Sequence, residues 1–265
     1  MSNQIKTEKA KRQLKVRLAQ NQFEIEKTLS LRYDIFNLEL QQGLAASHAT
    51  RKDRDKFDLY CDHLIVVDEG NDDRIVGTYR VLRSSVARKH EGFYSEGEFS
   101  LRGIYDLKDE VVEIGRSCVH PEYRDGSVIS HLWIGLGMYL REYNARYLCG
   151  CGSIHSHDAE TANLVYAYLR DKEFLVEPGF DAIPHPEYRM DGFRKDVQID
   201  DLKAVGKTMP PLIKGYMRAG ARITGEPAYD HEFGTTDFFI IFDEKEVDKR
   251  YGRHYLESDL SLKAQ

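Results

Sequence analysis

The stretch Glu113–Gly126, with the run that follows it, constrains this 265-residue chain more than any other. An apolar, β-branched segment (Val111, Val112, Ile114) is broken by one acid, Glu113, and one base, Arg116. It passes through His120-Pro121 and Arg124-Asp125-Gly126, then opens an amphipathic run from Ser127 to Asn144. Ile129, Leu132, Trp133, Leu136 and Leu140 fall on one face of that run, as a helix packed on a sheet requires. Strand, turn and helix in this order place the unpaired N–H groups of a helix N-terminus where they can hold a phosphate.

Strand geometry raises a difficulty inside this stretch. Positions 113 and 116 point to opposite faces of a regular strand. A β-bulge near Gly115 brings both to one face, and glycine within a strand often marks one. We therefore expect a bulge there. It splays this strand from the apolar run Tyr147–Ile154 and leaves a slot between them. Among apolar neighbours Glu113 loses solvation, which raises a carboxyl pKa toward the range of a useful base. The competing reading is a structural Glu113–Arg116 ion pair.

The rest of the chain supplies the partners of this strand. Leu14, Val16 and Leu18 alternate with Lys15 and Arg17 as a short strand. Asn21 and Glu24 form a capping-box pattern, followed by Ile25, Leu29, Tyr33, Phe36 and Leu40 at helical spacing. Leu64–Val67 and Ile75–Leu82 flank Glu69–Asp73 as a hairpin. Asp158 caps a helix that runs to Lys172. After residue 173, Pro178, Pro184 and Pro186 mark a loop-rich section, and Pro210-Pro211 begins a helix that ends near Gly220. Phe238–Phe242 reads as a short buried strand, and a last helix carries Lys245, Lys249, Arg250 and Arg253. Mixed strands with helices on both faces predict an α/β fold with a mixed α+β sheet. The expected divisions are an N-terminal arm (1–13), a core (14–172) and a C-terminal extension that completes the sheet (173–265).

Charge narrows the function classes. The formal net charge of −6 argues against nucleic acid as a partner. Residues 1–17 nevertheless hold six Lys/Arg and one acid, Glu8. Such an arm suits an anionic membrane surface or an acidic partner; the alternative is a solvated terminus. No apolar run reaches the roughly 18–20 residues of a membrane span, and no signal-peptide core is present. Cys61, Cys118, Cys149 and Cys151 sit in or beside apolar stretches, which suggests reduced thiols and a cytoplasmic setting. Cys149-x-Cys151 with His155-x-His157 imitates a zinc pattern, but we read these cysteines as strand-filling apolar groups and expect no metal.

The order of elements resembles the Gcn5-related N-acetyltransferase (GNAT) fold. That family's turn usually reads Gln/Arg-x-x-Gly-x-Gly/Ala; here Arg124-Asp-Gly-Ser-Val-Ile129 keeps the arginine and displaces the glycine by one position. The displacement points from acetyl-CoA toward acyl carrier protein. The N-terminal half resembles acyl-homoserine-lactone synthases, with Arg32 and Phe36, then Asp55, Asp58 and Asp62, then Arg80, then Glu113 with Arg116. The fullest resemblance is to the bacterial L-ornithine Nα-acyltransferases. It rests on Leu31–Phe36, Phe57–Leu64, Val76–Arg80, Gly92–Glu96, Glu113–Gly126 and Gly150–Ser156, and on Pro210–Tyr216 and Phe233–Phe238, which the shorter lactone synthases lack.

The resemblance implies transfer of a 3-hydroxy fatty acyl group from acyl carrier protein to the α-amino group of ornithine, forming lyso-ornithine lipid. No bound cofactor is expected, the pantetheine thioester being a co-substrate. Glu113 and Arg116 are the expected catalytic pair. Arg32, Glu39, Asp58, Asp62 and Arg80 are expected to hold the acceptor, because carboxylates bind an ammonium and arginine a carboxylate; the alternative is a buried ion-pair network. Glu39 is the second-choice base, and His63 is a relay or a core histidine. Cys118, Val119, Arg124, Gly126 and Ser127 are expected along the pantetheine arm, the last three at its phosphate. Arg141, Arg146 and the cationic C-terminal helix are candidates to face the acidic carrier. The product implies peripheral contact with the inner face of the cytoplasmic membrane. The alternatives are another acceptor such as glycine or lysine, a lactone-type signal synthase, and a non-catalytic carrier-binding module.

Overall fold

The computed structural model describes residues 12–176 and 180–247. In chain order the elements are β1 (Leu14–Leu18), α1 (Gln22–Tyr33), α2 (Ser47–Thr50), β2 (Asp62–Asp68), β3 (Arg74–Arg83), α3 (Ser84–Ala87), β4 (Phe99–Arg102), β5 (Glu110–Val119), α4 (Ser127–Glu142), β6 (Ala145–Ile154), α5 (Ala159–Asp171), β7 (Asp181–Pro184), α6 (Leu202–Thr208), α7 (Pro211–Ala219), β8 (Arg222–Ile223), β9 (Ala228–Asp230) and β10 (Thr235–Asp243). The main sheet has the order β1-β2-β3-β5-β6-β10-β8, with β9 also on β10; β4 and β7 form a separate pair. Every pairing in the main sheet is antiparallel except β5–β6. A parallel pair needs a long crossover, and α4 supplies it.

Helices cover both faces, so β2 and β3 read as continuous apolar runs. α4 packs on Leu64, Val66, Val76, Tyr79 and Val112. α1 and the turn that follows it pack on the opposite face, where Leu31 and Ile35 meet Ile65, Val67, Ile75 and Cys118. Asn21 caps α1, its Oδ1 accepting from Glu24 N at 3.0 Å. Only half of the capping box forms, because the Glu24 carboxylate accepts from Gln20 N and Arg17 instead. Beyond α1 the coil widens into a π-helix over Asp34–Glu39, which the apolar spacing did not announce. Asp158 caps α5 through Thr161 N at 2.7 Å. α7 begins at Pro211 and ends at Gly220, whose φ is +105°. β10 pairs with β6 from Asp243 to Thr236, so the segment after residue 173 completes the sheet. Residues 1–11, Pro178, and the positions expected to form a cationic helix (Lys249, Arg250, Arg253) lie outside the described residues; Lys245 belongs to a short 3-10 turn.

The bulge is present in β5. Thr78 and Arg80 of β3 face Cys118 and Gly115, so two steps on β3 oppose three on β5. The extra residue falls in Arg116–Ser117, and Arg116 carries the left-handed backbone, φ +49°. The expectation that glycine marks the seat of the bulge is therefore corrected. Gly115 is not left-handed, and a Cβ there would meet nothing within 4 Å. The extra residue turns Glu113 and Arg116 to one face and sets Cys118 on that face too.

Next to the bulge the sheet forks. Parallel pairing runs through Val111↔Tyr147 and Val112↔Leu148 and ends at Glu113↔Cys149. β6 continues to Ile154 on β10 alone. The glycine that the fork does need is Gly150. Its φ is +149°, and a Cβ there would lie 2.3 Å from the Ile114 carbonyl oxygen.

Gly150→Ala should therefore cost about 1–3 kcal/mol, the usual range for forced overpacking. Gly115→Ala should stay within about 0.5 kcal/mol. Thermal melts of both variants check this; equal melting temperatures would show that the fork imposes no steric demand at position 150.

Candidate active site

The fork opens into a cleft of about 250 Å³. β3 and β5 contribute Tyr79, Arg80, Glu113, Arg116 and Ser117, and the opposite wall holds Ser153, Asp230 and Asp237. A smaller apolar slot of about 90 Å³ runs beside it, among Ile114, Trp133, Leu136, Leu148, Ile240 and Phe242. The two cavities share Ile114, Cys151 and Tyr216. The Tyr79 and Tyr216 hydroxyls, 2.8 Å apart, stand on this boundary. Such a site suits a molecule with an apolar tail joined to a polar reacting centre.

Under the cleft lies a set of three arginines and three aspartates. Arg32 has a fully buried side chain; its Nε donates to Asp53 at 2.7 Å and its Nη1 to Asp58 at 2.6 Å. Arg80 donates to Asp55 at 2.6 Å and lies 3.4 Å from Asp58. Arg116 stands 3.6 Å from Asp53 and 3.5 Å from Asp55. Burial pushes the Asp58 carboxyl up, but Arg32 and Arg80 together outweigh it and hold the pKa at about 2. Burial keeps His63 neutral, with a pKa of about 4, at 3.9 Å from Asp58.

This arrangement corrects part of the expected acceptor set. Arg32 and Asp58 are consumed in the network beneath the cleft, so the ion-pair alternative holds for them. Asp62 is on the other face of β2, where it accepts from Tyr139 Oη at 2.5 Å. The strand period explains this: His63, not Asp62, pairs with Arg80. Glu39 is also elsewhere, paired with Arg124 at the protein surface. Asp53 completes the network, and neither apolar periodicity nor any quoted motif marked it.

Arg80 and Arg116 reach the cleft. Arg116 Nε and Nη2 are buried without a hydrogen-bond partner. The guanidinium lies over the Tyr94 and Phe233 rings, 5.1 and 4.3 Å from their centroids. Buried donors of this kind are costly unless something accepts from them. Glu113 is 5% exposed. Its Oε1 accepts from Ser95 N at 2.8 Å and Ser95 Oγ at 2.6 Å, and its Oε2 from Tyr94 N at 2.7 Å. Burial raises its pKa, and these donors counter only part of the rise. Glu113 therefore both anchors the Tyr94–Gly97 turn and remains readily protonated.

The turn before α4 is closed by its own residues. Gly126 is the N-cap, φ +93°. Asp125 accepts from Ser127 N at 3.0 Å and from Arg12 at 2.5 Å. Arg124 grips Glu39 at 2.5 and 2.8 Å and donates from Nε to the Val119 carbonyl at 3.0 Å. The Cys118 thiol does not line the cleft as expected; it sits beneath α1, where burial raises its pKa to about 12. Arg146 is committed to Asp243 and Asp109 rather than free for a carrier. Cys149 joins the core, whereas Cys151 faces the cleft and lies 3.3 Å from Ser95 Oγ. Ligand atoms of Glu98, Cys151 and Asp237 lie within 4.8 Å of one another. Sequence reasoning missed Glu98 and Asp230; Asp237 and Ser95 lay inside quoted motifs without a role.

The charge network carries testable consequences. Removing one partner of a buried pair typically costs about 3–5 kcal/mol, so Arg32→Leu should destabilise by that amount in denaturant melts. Asp58 is depressed from 3.8 to about 2, so its stabilisation is present above pH 4 and lost as pH falls through 2. The stability gap between wild type and Asp58→Asn should therefore narrow between pH 4 and pH 2. A constant gap would show that Asp58 is not ionised in the folded state.

Comparison with known proteins places this site in a family. Residues 31–134 match the acetyltransferase (GNAT) domain. The chain is 35% identical over 249 residues to the L-ornithine N(alpha)-acyltransferase of Agrobacterium fabrum, covering 91% of this chain and 85% of that one. It is 36% identical over 250 residues to the enzyme of that name from Rhizobium meliloti, covering 91% and 84%. Among solved structures, the AHL synthase LasI shares the fold with a TM-score of 0.50 at 10% identity, covering 97% of this chain and 100% of that one. A sheet forked beside a bulged strand, with identity at this level over nine-tenths of the chain, establishes that the protein belongs to the L-ornithine N(alpha)-acyltransferase family.

Proposed function

We propose that this enzyme transfers a fatty acyl group from the pantetheine thioester of acyl carrier protein to the α-amino group of L-ornithine. The observation that carries the reading is the fork: it joins an apolar slot to a polar cleft lined by Arg80, Glu113 and Arg116. The acyl tail occupies the slot among Trp133, Leu136 and Ile240. The pantetheine arm lies along β5 beyond Glu113, where the backbone groups facing β6 have no strand partner. The same groups supply donors for the oxyanion. The phosphate of the arm meets Arg124, Gly126 and Ser127, displacing Glu39 and Asp125 from them.

Arg116 lines the cleft and grips the acceptor's α-carboxylate with its guanidinium, whose Nε and Nη2 stand 3.6 and 3.5 Å from Asp53 and Asp55 without a hydrogen bond. The neutral α-amine attacks the thioester carbonyl. Its proton passes through Ser95 Oγ to Glu113, whose raised pKa suits that task. The tetrahedral intermediate collapses, the C–S bonding pair leaves with the thiolate, and the amide remains. No covalent enzyme intermediate is needed. Arg12, Arg74 and Arg124 surround the turn before α4, each paired with an acid (Asp125, Glu122 and Glu39), and an acidic carrier docking there would compete for them. No helix among the described residues is long and apolar enough to cross a membrane. Leu38, Leu40 and Leu212 are exposed, the latter two on the cleft wall, and suit a peripheral contact with lipid.

Incubation with 3-hydroxyacyl carrier protein, with the matching acyl-CoA and with a panel of amino acids, followed by mass spectrometry, tests the reading. N-acylornithine from the carrier-bound donor is expected; if no amino acid is acylated, the reading is wrong. Glu113→Gln should lower turnover by about 10²-fold, the lower end for a lost acid–base group. Full activity in that variant would remove Glu113 as base.

A further inference from the structure

We propose that Glu98, Asp230 and Asp237 form a subsite for a second ammonium group on the acceptor, so that the enzyme selects diamino acids over neutral ones. The inference rests on the amino-acid acylation reading above and assigns the part of the cleft which that mechanism leaves unused.

Three observations converge on this corner. Glu98 is 4% exposed, and its Oε2 is buried with no hydrogen-bond partner. A Glu98 oxygen, an Asp237 oxygen and Cys151 Sγ lie within 4.8 Å of one another. Asp237, Asp230 and Cys151 are on the cleft wall, and the Glu98 carboxylate stands next to Asp237 and Cys151. The carboxylates are held firmly. Asp237 accepts from Thr235 Oγ1 at 2.9 Å, and Asp230 from Glu232 N and Phe233 N at 2.7 and 3.0 Å. Glu98 follows the turn that Glu113 pins; its N–H donates to Ser95 O at 3.1 Å, and its carbonyl accepts from His185 N at 2.8 Å.

Among the described residues none of these three carboxylates forms an ion pair, and Arg116 is the cation that offsets them in part. Burial first, and mutual repulsion second, push the Glu98 carboxyl up, with Asp237, Asp230 and Glu113 all contributing and Arg116 only partly offsetting them. Burial likewise raises Asp237. A compact group with three N–H donors relieves this. An ammonium fits better than a metal ion, because burial keeps the Cys151 thiol protonated and hence a weak ligand. Arg116 completes the logic. It holds the α-carboxylate, and the acids receive a cation at the far end of the side chain.

The test compares L-ornithine with L-norvaline, which has the same carbon chain without the second amine, in buffer containing EDTA. Wild-type kcat/KM should favour ornithine by at least about tenfold, the equivalent of one charged contact. In Asp237→Asn and in Glu98→Gln the efficiency with ornithine should fall at least about tenfold more than with norvaline, through KM. Three results would overturn the proposal: equal use of both substrates by wild type, an ornithine preference retained in both variants, or an equal loss with both substrates. If wild type acylates neither, the acylation reading has failed, and calorimetry without donor then decides the subsite. Tighter binding of ornithine than norvaline, lost in Asp237→Asn, supports the ammonium site; equal binding refutes it.

Discussion

Parallel pairing between β5 and β6 stops at Glu113, and the site exists because it stops there. A left-handed residue other than glycine, asparagine or aspartate is uncommon and costs on the order of 1–3 kcal/mol. Arg116 accepts that conformation, and the resulting bulge places its guanidinium on the same face as Glu113. Gly150 lets the Ile114 carbonyl approach where the strands part. The fork leaves unpaired backbone on β5, an apolar slot toward α4 and a polar cleft toward α1.

Most of the charge around this fork is consumed in ion pairs. Arg32 and Asp53 are fully buried and paired, as ions must be in a low-dielectric interior. Arg80 and Asp55 lie at the edge of the same network. Arg116 is its outermost member, held near Asp53 and Asp55 without a hydrogen bond, and across the cleft Glu98 keeps an acceptor free. Unfilled buried groups of opposite sign cost stability in the empty protein and favour a ligand that carries both charges.

Much of this was legible in the amino-acid order. The hairpin, the caps at Asn21 and Asp158, the helix from Pro211 to Gly220 and the strand–turn–helix around Glu113–Ser127 follow from local rules. Even the bulge was legible, because an acid and a base three residues apart on one strand cannot otherwise meet. Its exact seat was not: glycine drew attention to position 115, whereas the left-handed residue is Arg116. The charged residues were the least legible. Asp58 and Asp62 look alike in sequence, yet one lies beneath the cleft and the other bonds Tyr139 on the opposite face. Strand parity decides between them, and parity depends on where β2 starts. Glu39 is one helical turn from Phe36, but the π-helix carries it toward Arg124.

The sequence by itself determined the elements, the order of the core and the family, because periodicity, capping and turn chemistry act over a few residues. Only the tertiary structure decided which charges are consumed and which are left open. That depends on contacts between distant segments: Arg32 with Asp53 and Asp58, Ser95 with Glu113, and Glu98 beside Asp237. The opening stretch shows the division most clearly. Its order predicted a strand that must bulge, and the fold alone determined that β6 leaves it at Glu113, since pairing is settled by the neighbouring strand rather than by the strand itself.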